Sequence, residues 1–374
     1  MRFRKGCRLQ SGLGQQSTIL QASYHPYHLD FIKPAGTSRG VMTQKETWFL
    51  VIRHEGKTGI GECGILRKLS IDDRPDYEEK LKWVCQNIDL GPEALWEKLT
   101  DFPSIQFGVE TAFASLEAAD PFVIFPSGFT EGRKSIVING LVWMGTANEM
   151  EQQIGDKIAQ DFTCIKLKIG AINFNQEVEL LRMIRQKYTA EEIEIRVDAN
   201  GAFSSEDALH KLNVLSGFQL HSIEQPVAAK QHDILSELCK NAPFPIALDE
   251  ELIGIISAAE KRTLLEKIRP QYIILKPSLI GGFRGTLEWI SVAEEFGIDW
   301  WITSALESNI GLNAIAQFTF GLDVKIPQGL GTGGLYHNNF AGPLKVHRGH
   351  LEFIPQNNFD LSAVLRQITG DAGM

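Results

Sequence analysis

Four charged residues stand at nearly equal intervals in the second half of this chain, each just past a short apolar run. Arg196-Val-Asp198-Ala-Asn200 closes one run and Ser222-Ile-Glu224-Gln-Pro226 the next. Ala247-Leu-Asp249-Glu250 and Leu275-Lys276-Pro277 close the two that follow. From Asp198 the intervals are 26, 25 and 27 residues. A βα unit has about that length when roughly 250 residues are shared among eight. The spacing therefore puts Asp198, Glu224, Asp249 and Lys276 at equivalent places on consecutive strands. In a closed barrel those places ring the C-terminal mouth, where active sites of this architecture lie.

The surrounding texture agrees. Short apolar strands are predicted at 135–139, 164–169, 193–197, 219–223, 245–248, 272–275, 300–302 and 324–326. Amphipathic stretches at 148–159, 175–187, 205–215, 233–241, 258–268 and 286–296 lie between them. Such alternation means βα units and a parallel sheet. No Gly-x-Gly-x-x-Gly fingerprint follows the first strand, which argues against a dinucleotide-binding sheet.

The first 60 or so residues read as strands and turns. Residues 47–53 and 58–63 flank His54-Glu-Gly-Lys57, a hairpin signal. Residues 34–44 form a polar, glycine-bearing segment of the kind that is often a mobile, functional loop. A plain connection fits them as well. From 75 to 119 the pattern is helical, with Tyr77, Leu81 and Val84 on one face. Past Pro343 the tail is strand-like around 350–354, then polar.

One more strand carries unusual charge. In Thr163-Cys-Ile-Lys-Leu-Lys-Ile-Gly170, Lys166 and Lys168 share a face. Mutual repulsion lowers a lysine's pKa toward the range of a base. An exposed edge strand would also carry lysines, but this strand precedes the one ending in Asp198. Three carboxylates converging on one mouth repel strongly. A hard divalent cation relieves that, and Mg²⁺ takes a few carboxylates plus water or substrate oxygens. None of the nine histidines and no cysteine sits at these places, which disfavours softer metals. A metal can hold a substrate carboxylate while a low-pKa lysine removes the neighbouring proton. A barrel lysine can also form a Schiff base, with Lys276 as nucleophile.

Net charge is −9, which does not favour nucleic acid or an anionic membrane as partner. No apolar run approaches the roughly 20 residues of a membrane span. The start, Met1-Arg-Phe-Arg-Lys, has no apolar stretch after it and reads against a signal peptide. Five scattered cysteines without a Cys-x-x-Cys suit a reducing, cytoplasmic setting. The expected partner is a small-molecule carboxylate; monomer and homo-oligomer stay equally open.

Lys166-Leu-Lys168, Asp198-Ala-Asn200, Glu224-Gln-Pro226, Asp249-Glu250 and Lys276-Pro277, in this order, resemble the muconate-lactonizing branch of the enolase superfamily. The resemblance covers nearly the whole chain. It implies an α/β fold: a modified (β/α)7β TIM-like barrel over 131–342, under an α+β capping domain. That domain would comprise 1–130, completed by the tail 343–374. It also implies that Asp198, Glu224 and Asp249 hold Mg²⁺, with Mn²⁺ able to substitute. Lys168 would be the base, Lys166 would keep its pKa down, and Lys276 would face the other side of the substrate. Residues 303–311 and 327–333 resemble the members of the branch that dehydrate a cyclohexadiene carboxylate to an aromatic ring. Dipeptide epimerases of the branch carry Asp-x-Asp after the eighth strand, where this chain reads Gly329-Leu-Gly-Thr-Gly-Gly334. Ser304, Ser308, Asn309, Gly331 and Thr332 are expected to shape the pocket. Arg39 is a candidate for a second substrate carboxylate. Arg196 shares the inward face with Asp198, and a structural role in the barrel is expected of it.

Overall fold

Alternation along the second strand decides how the N-terminal sheet is covered. Trp48, Leu50 and Ile52 point one way, Phe49 the other, and all are buried, so both faces of this sheet are occupied. The computed structural model describes residues 20–37 and 40–370. It opens with strands β1 (Gln21–Thr37), β2 (Gly40–His54) and β3 (Lys57–Cys63), an antiparallel sheet. Helices α1 (Tyr77–Gln86), α2 (Gly91–Glu97) and α3 (Pro103–Glu117) cover one face. Residues 34–44, expected as a loop, are mostly strand: Ala35 pairs with Met42 and Gly36 with Val41. The correction has a simple cause, since the glycines there lie in a ladder and not only in a turn.

After β4 (Ile136–Val137) come β5 (Gly140–Val142), α4 (Ala147–Ala159), β6 (Cys164–Lys168), α5 (Phe174–Lys187) and β7 (Glu194–Asp198). Then follow α6 (Ala208–Leu215), β8 (Ser222–Glu224), α7 (His232–Asn241), β9 (Ile246–Leu248) and α8 (Ala258–Ile268). The series ends with β10 (Tyr272–Leu275), α9 (Gly282–Glu295), β11 (Asp299–Ile302) and α10 (Asn309–Gly321). Strands β5 to β11 pair in sequence order as one parallel sheet of seven.

Two strand expectations are corrected at the seam. The first barrel strand is β5; Ile136 and Val137 instead pair with the tail. The expected strand 324–326 is absent, because Pro327 has no N–H to continue a ladder. Isolated bridges close the ring, Ile138 with Gln328 and Thr303 with Gly329. Arg196, fully buried and stacked 4.3 Å from the Trp301 ring, donates to the Pro327 carbonyl at 2.9 Å across the barrel. The tail forms β12 (Leu344–His347), β13 (His350–Phe353) and α11 (Leu361–Thr369). Helix α11 packs Val364 and Ile368 against Phe49 and Ile60, the second face of the N-terminal sheet. No helix among the described residues is long and apolar enough to cross a membrane.

Two contacts seat the N-terminal sheet and helices on the barrel. Glu110 of α3 accepts the N–H groups of Phe283 (2.6 Å) and Arg284 (3.1 Å) at the start of α9. Glu62 of β3 accepts those of Ser308 and Gly311, both at 2.9 Å, at the start of α10. A carboxylate at a helix N-terminus satisfies orphan donors and the helix dipole together. Strand β3 itself lies tight on α3. A Cβ on Gly61 would stand 1.9 Å from the Gly108 carbonyl oxygen, and one on Gly59 2.2 Å from that of Ala112. Gly61→Ala is expected to destabilise the protein by about 3 kcal/mol, the upper range of overpacking. Denaturant unfolding of both proteins checks this; equal midpoints would contradict it.

Candidate active site

Register brings the charged residues together. Lys168 on β6 pairs with Asp198 on β7, which pairs with Glu224 on β8. Asp249 and Lys276 directly follow β9 and β10. Side chains two apart share a face, so Lys166 and Lys168 point inward with Asp198 and Glu224. The Lys166 ammonium reaches both Glu224 oxygens, at 2.8 and 2.6 Å, and Asp198 Oδ2 at 3.2 Å. Lys168 Nζ donates to that same Asp198 oxygen at 3.1 Å and to Asn200 Oδ1 at 2.7 Å. Across the mouth, Lys276 Nζ donates to Asp249 Oδ2 at 2.5 Å.

Three ammonium groups and three carboxylates make up this cluster. Burial opposes the Lys166 charge, but Glu224 and Asp198 outweigh it and raise this ammonium well above its ordinary pKa. Carboxylates, more than the neighbouring lysine, dominate the surroundings of Lys166. Burial likewise opposes the Lys276 charge, and Asp249 and Glu250 overcome it, so its pKa is raised too. Burial pushes the Glu224 carboxyl up to about 8 against the pull of Lys166, with Asp198 and Asp249 adding to the rise. The lysines move up because carboxylates surround them, and Glu224 moves up chiefly because it is buried.

Above this floor opens a pocket of about 750 Å³, its mouth included. Lys166, Lys168, Asp198 and Lys276 line it, while Glu224 and Asp249 lie behind the lysines. Ser304, Gly331 and Thr332 line it, and the two hydroxyls touch at 2.5 Å. Ser308 and Asn309 do not. Ser308 caps α10 and donates to Glu62 Oε2 at 2.5 Å; Asn309 Nδ2 donates to the Phe340 carbonyl at 2.7 Å. Both are drawn away because α10 starts there, a helix that the sequence reading missed. Arg39 lies outside the described residues.

The pocket also uses residues not singled out above as site residues. Asn200 receives Lys168 and donates to Glu250 Oε1 at 2.9 Å. Trp143 lies 5.9 Å from the Lys168 ammonium, and Met42, Leu66 and Leu69 form an apolar wall from the N-terminal part. Asn200 and Glu250 were within the strand-end motifs and could have been found there. The apolar wall comes from residues distant in sequence: Met42 falls in the 34–44 segment singled out above, while Leu66 and Leu69 left no local signal.

Asp198, Glu224 and Asp249 are buried oxygen donors at the ends of three neighbouring strands, and the two aspartates repel the charge of Glu224. Their chemistry fits a hard divalent cation. Among the described residues, no three His, Cys, Asp or Glu side chains are gathered as ligands round one point. Ammonium groups take the carboxylates instead, Lys166 between Asp198 and Glu224 and Lys276 on Asp249.

Residues 149–357 match the family described as Enolase C-terminal domain-like. The chain is 44% identical to an o-succinylbenzoate synthase of Desulfotalea psychrophila over 89% of its own length and 98% of that protein. This chain belongs to the o-succinylbenzoate synthase family of the enolase superfamily. The crystal structure of MenC from the same organism superposes with a TM-score of 0.79 at 40% identity, covering 89% of this chain and 99% of that one. An N-succinylamino acid racemase of Thermus thermophilus is 28% identical over 74% of this chain and 75% of that protein. The enolase-family match contains every lysine and carboxylate of the pocket floor; the apolar wall of Met42, Leu66 and Leu69 lies outside it.

Proposed function

We propose that this chain performs the syn dehydration of 2-succinyl-6-hydroxy-2,4-cyclohexadiene-1-carboxylate to o-succinylbenzoate, as an enzyme of menaquinone biosynthesis. The observation that carries the reading is two lysines on opposite sides of one pocket, over three buried carboxylates. Lys168 takes the proton α to the ring carboxylate and returns it to the departing hydroxyl on the same face. A lysine nitrogen has three bonding directions beyond Cε, and Asp198 and Asn200 take two. The third is a proton in the ammonium and a lone pair in the amine. Lys276 presents a fixed positive charge to the other face of the ring, where an electron-rich π system develops. The Schiff-base alternative needs a neutral amine free to attack, whereas Lys276 Nζ donates to Asp249 Oδ2 at 2.5 Å. Asp198, Glu224 and Asp249 would hold Mg²⁺, or Mn²⁺ in its place. When bound, the ion supplies positive charge to the substrate carboxylate as the adjacent C–H is broken.

The proposed division of the chain is a capping domain over 1–130, completed by 343–374, and a barrel over 131–342. The proposed setting is cytoplasmic.

Comparison of kcat/KM for the cyclohexadiene, an N-succinylamino acid and a dipeptide tests the function. Rapid aromatisation is expected, with weak racemisation of the acylamino acid and no dipeptide epimerisation. A substrate ammonium wants a free carboxylate. The pocket's remaining acid, Glu250, accepts from Asn200 and lies beside Lys276. A dipeptide turned over faster than the cyclohexadiene would overturn the reaction. A second prediction concerns the ion. Exhaustive chelation should abolish activity, with recovery on adding Mg²⁺ or Mn²⁺. Glu224→Gln should weaken Mn²⁺ binding measured by electron paramagnetic resonance. Full activity of the chelated protein would refute it.

A further inference from the structure

Glu307 is the one acid in 303–311. Its side chain is fully buried and does not reach the pocket wall. Oε1 accepts from Ser278 Oγ at 2.5 Å, and Oε2 accepts the Ala305 N–H at 2.8 Å. Ser278 lies two residues past Lys276, in the single turn Pro277–Leu279. Ala305 stands between Ser304 and Leu306, both in the wall. Leu306 is held at φ 66°, in the left-handed region, while its carbonyl accepts the Tyr336 hydroxyl at 2.8 Å. One carboxylate thus ties the turn behind Lys276 to the neighbouring wall of the pocket.

The same carboxylate faces β2 and β3. Lys45 of β2 is only 3% exposed; burial lowers its pKa, and Glu62 and Glu307 offset that only in part. The backbone at Gly64 presses on the bonded pair, since a Cβ there would stand 3.2 Å from both Glu307 Cγ and Ser278 Oγ. Lys45 Nζ makes no hydrogen bond among the described residues, so its link to Glu307 is opposite charge at short range, while Ser278 is bonded to Glu307 directly. Lys45, Glu307 and Ser278 therefore link the seating of the N-terminal sheet to the loop that bears Lys276.

We propose that Glu307 is a positioning residue for Lys276, acting through Ser278, with Lys45 as its countercharge from the N-terminal sheet. This rests on the reading of Lys276 as an electrostatic group of the reaction. Small displacements of such groups cost up to about a hundredfold in rate.

The test compares Ser278→Ala, Glu307→Gln, Lys45→Met and the double variant Lys45→Met/Glu307→Gln with the wild type. For Ser278→Ala the expected result is an unchanged melting temperature, kcat lowered about tenfold to a hundredfold and KM within about twofold. Lys45→Met should lower kcat in the same manner although it lies outside the pocket. The double variant should lose less than the product of its two singles, as coupled residues do. Wild-type kcat in Ser278→Ala and Glu307→Gln would overturn the proposal, and so would strictly multiplicative losses. Ratios are taken on whichever carboxylate the wild type deprotonates, read by deuterium incorporation where no ring is formed. Failure of the dehydration reading then appears in the wild type, and failure of the positioning in the ratios.

Discussion

Lys168→Ala is expected to lower kcat by about a thousandfold or more, within the range for removal of an essential proton-transfer group. The alanine leaves Asp198 and Asn200 in place, so the pocket keeps its shape while losing the nitrogen that faces the substrate. KM should change little, because the ring and its carboxylate keep their other contacts. Single-turnover measurement with the cyclohexadiene separates the lost proton transfer from any loss of binding. Deuterium exchange at the α carbon should vanish with the aromatisation. A variant keeping a tenth of wild-type kcat would assign the base elsewhere.

Lys276→Ala is expected to cost about a hundredfold to a thousandfold in kcat, as removal of one preorganised electrostatic group does. The loss should exceed that from Lys276→Arg, which keeps a cation. Its geometry supports a charge-bearing role: Nζ is fixed on Asp249, and the side chain is only 15% exposed. Borohydride with a keto substrate should trap no adduct on the wild type. Stoichiometric labelling of Lys276 would replace the electrostatic role with a nucleophilic one.

Much of the barrel was legible because its signals are local. Short β-branched runs ending in a charge mark strands, and the interval between them marks the repeat. Helix α8 was read to the residue, since Ser257 and Glu260 form a capping box at its start. Helix α10 was missed for a physical reason. Ile310 through Thr319 are all buried, so no polar face remains to give it a period. The seam of the barrel was misplaced because its closure uses isolated bridges and the Gln328 side chain, which accepts the Ile302 N–H at 2.8 Å. Among the site residues, those on strand ends were visible, and of the N-terminal wall only Met42 fell in a segment singled out. Leu66 and Leu69 are ordinary apolar residues until the two parts meet.

The glutamates at the starts of α9 and α10 bear on how such chains can be recombined. Glu110 needs a glycine opposite, for a Cβ on Gly282 would stand 2.0 Å from its Oε2. Glu62 needs Gly311 in the same way, at 2.7 Å. Each acid and its glycine therefore form a lock and key divided between the two ends of the sequence. A chimaera that takes its first third from one relative and its barrel from another inherits half of each pair. Where the donors differ at either position, one acid meets a side chain or one helix start loses its acceptor. Successful exchange of substrate-facing walls between relatives would thus require Glu62 to travel with Gly311, and Glu110 with Gly282.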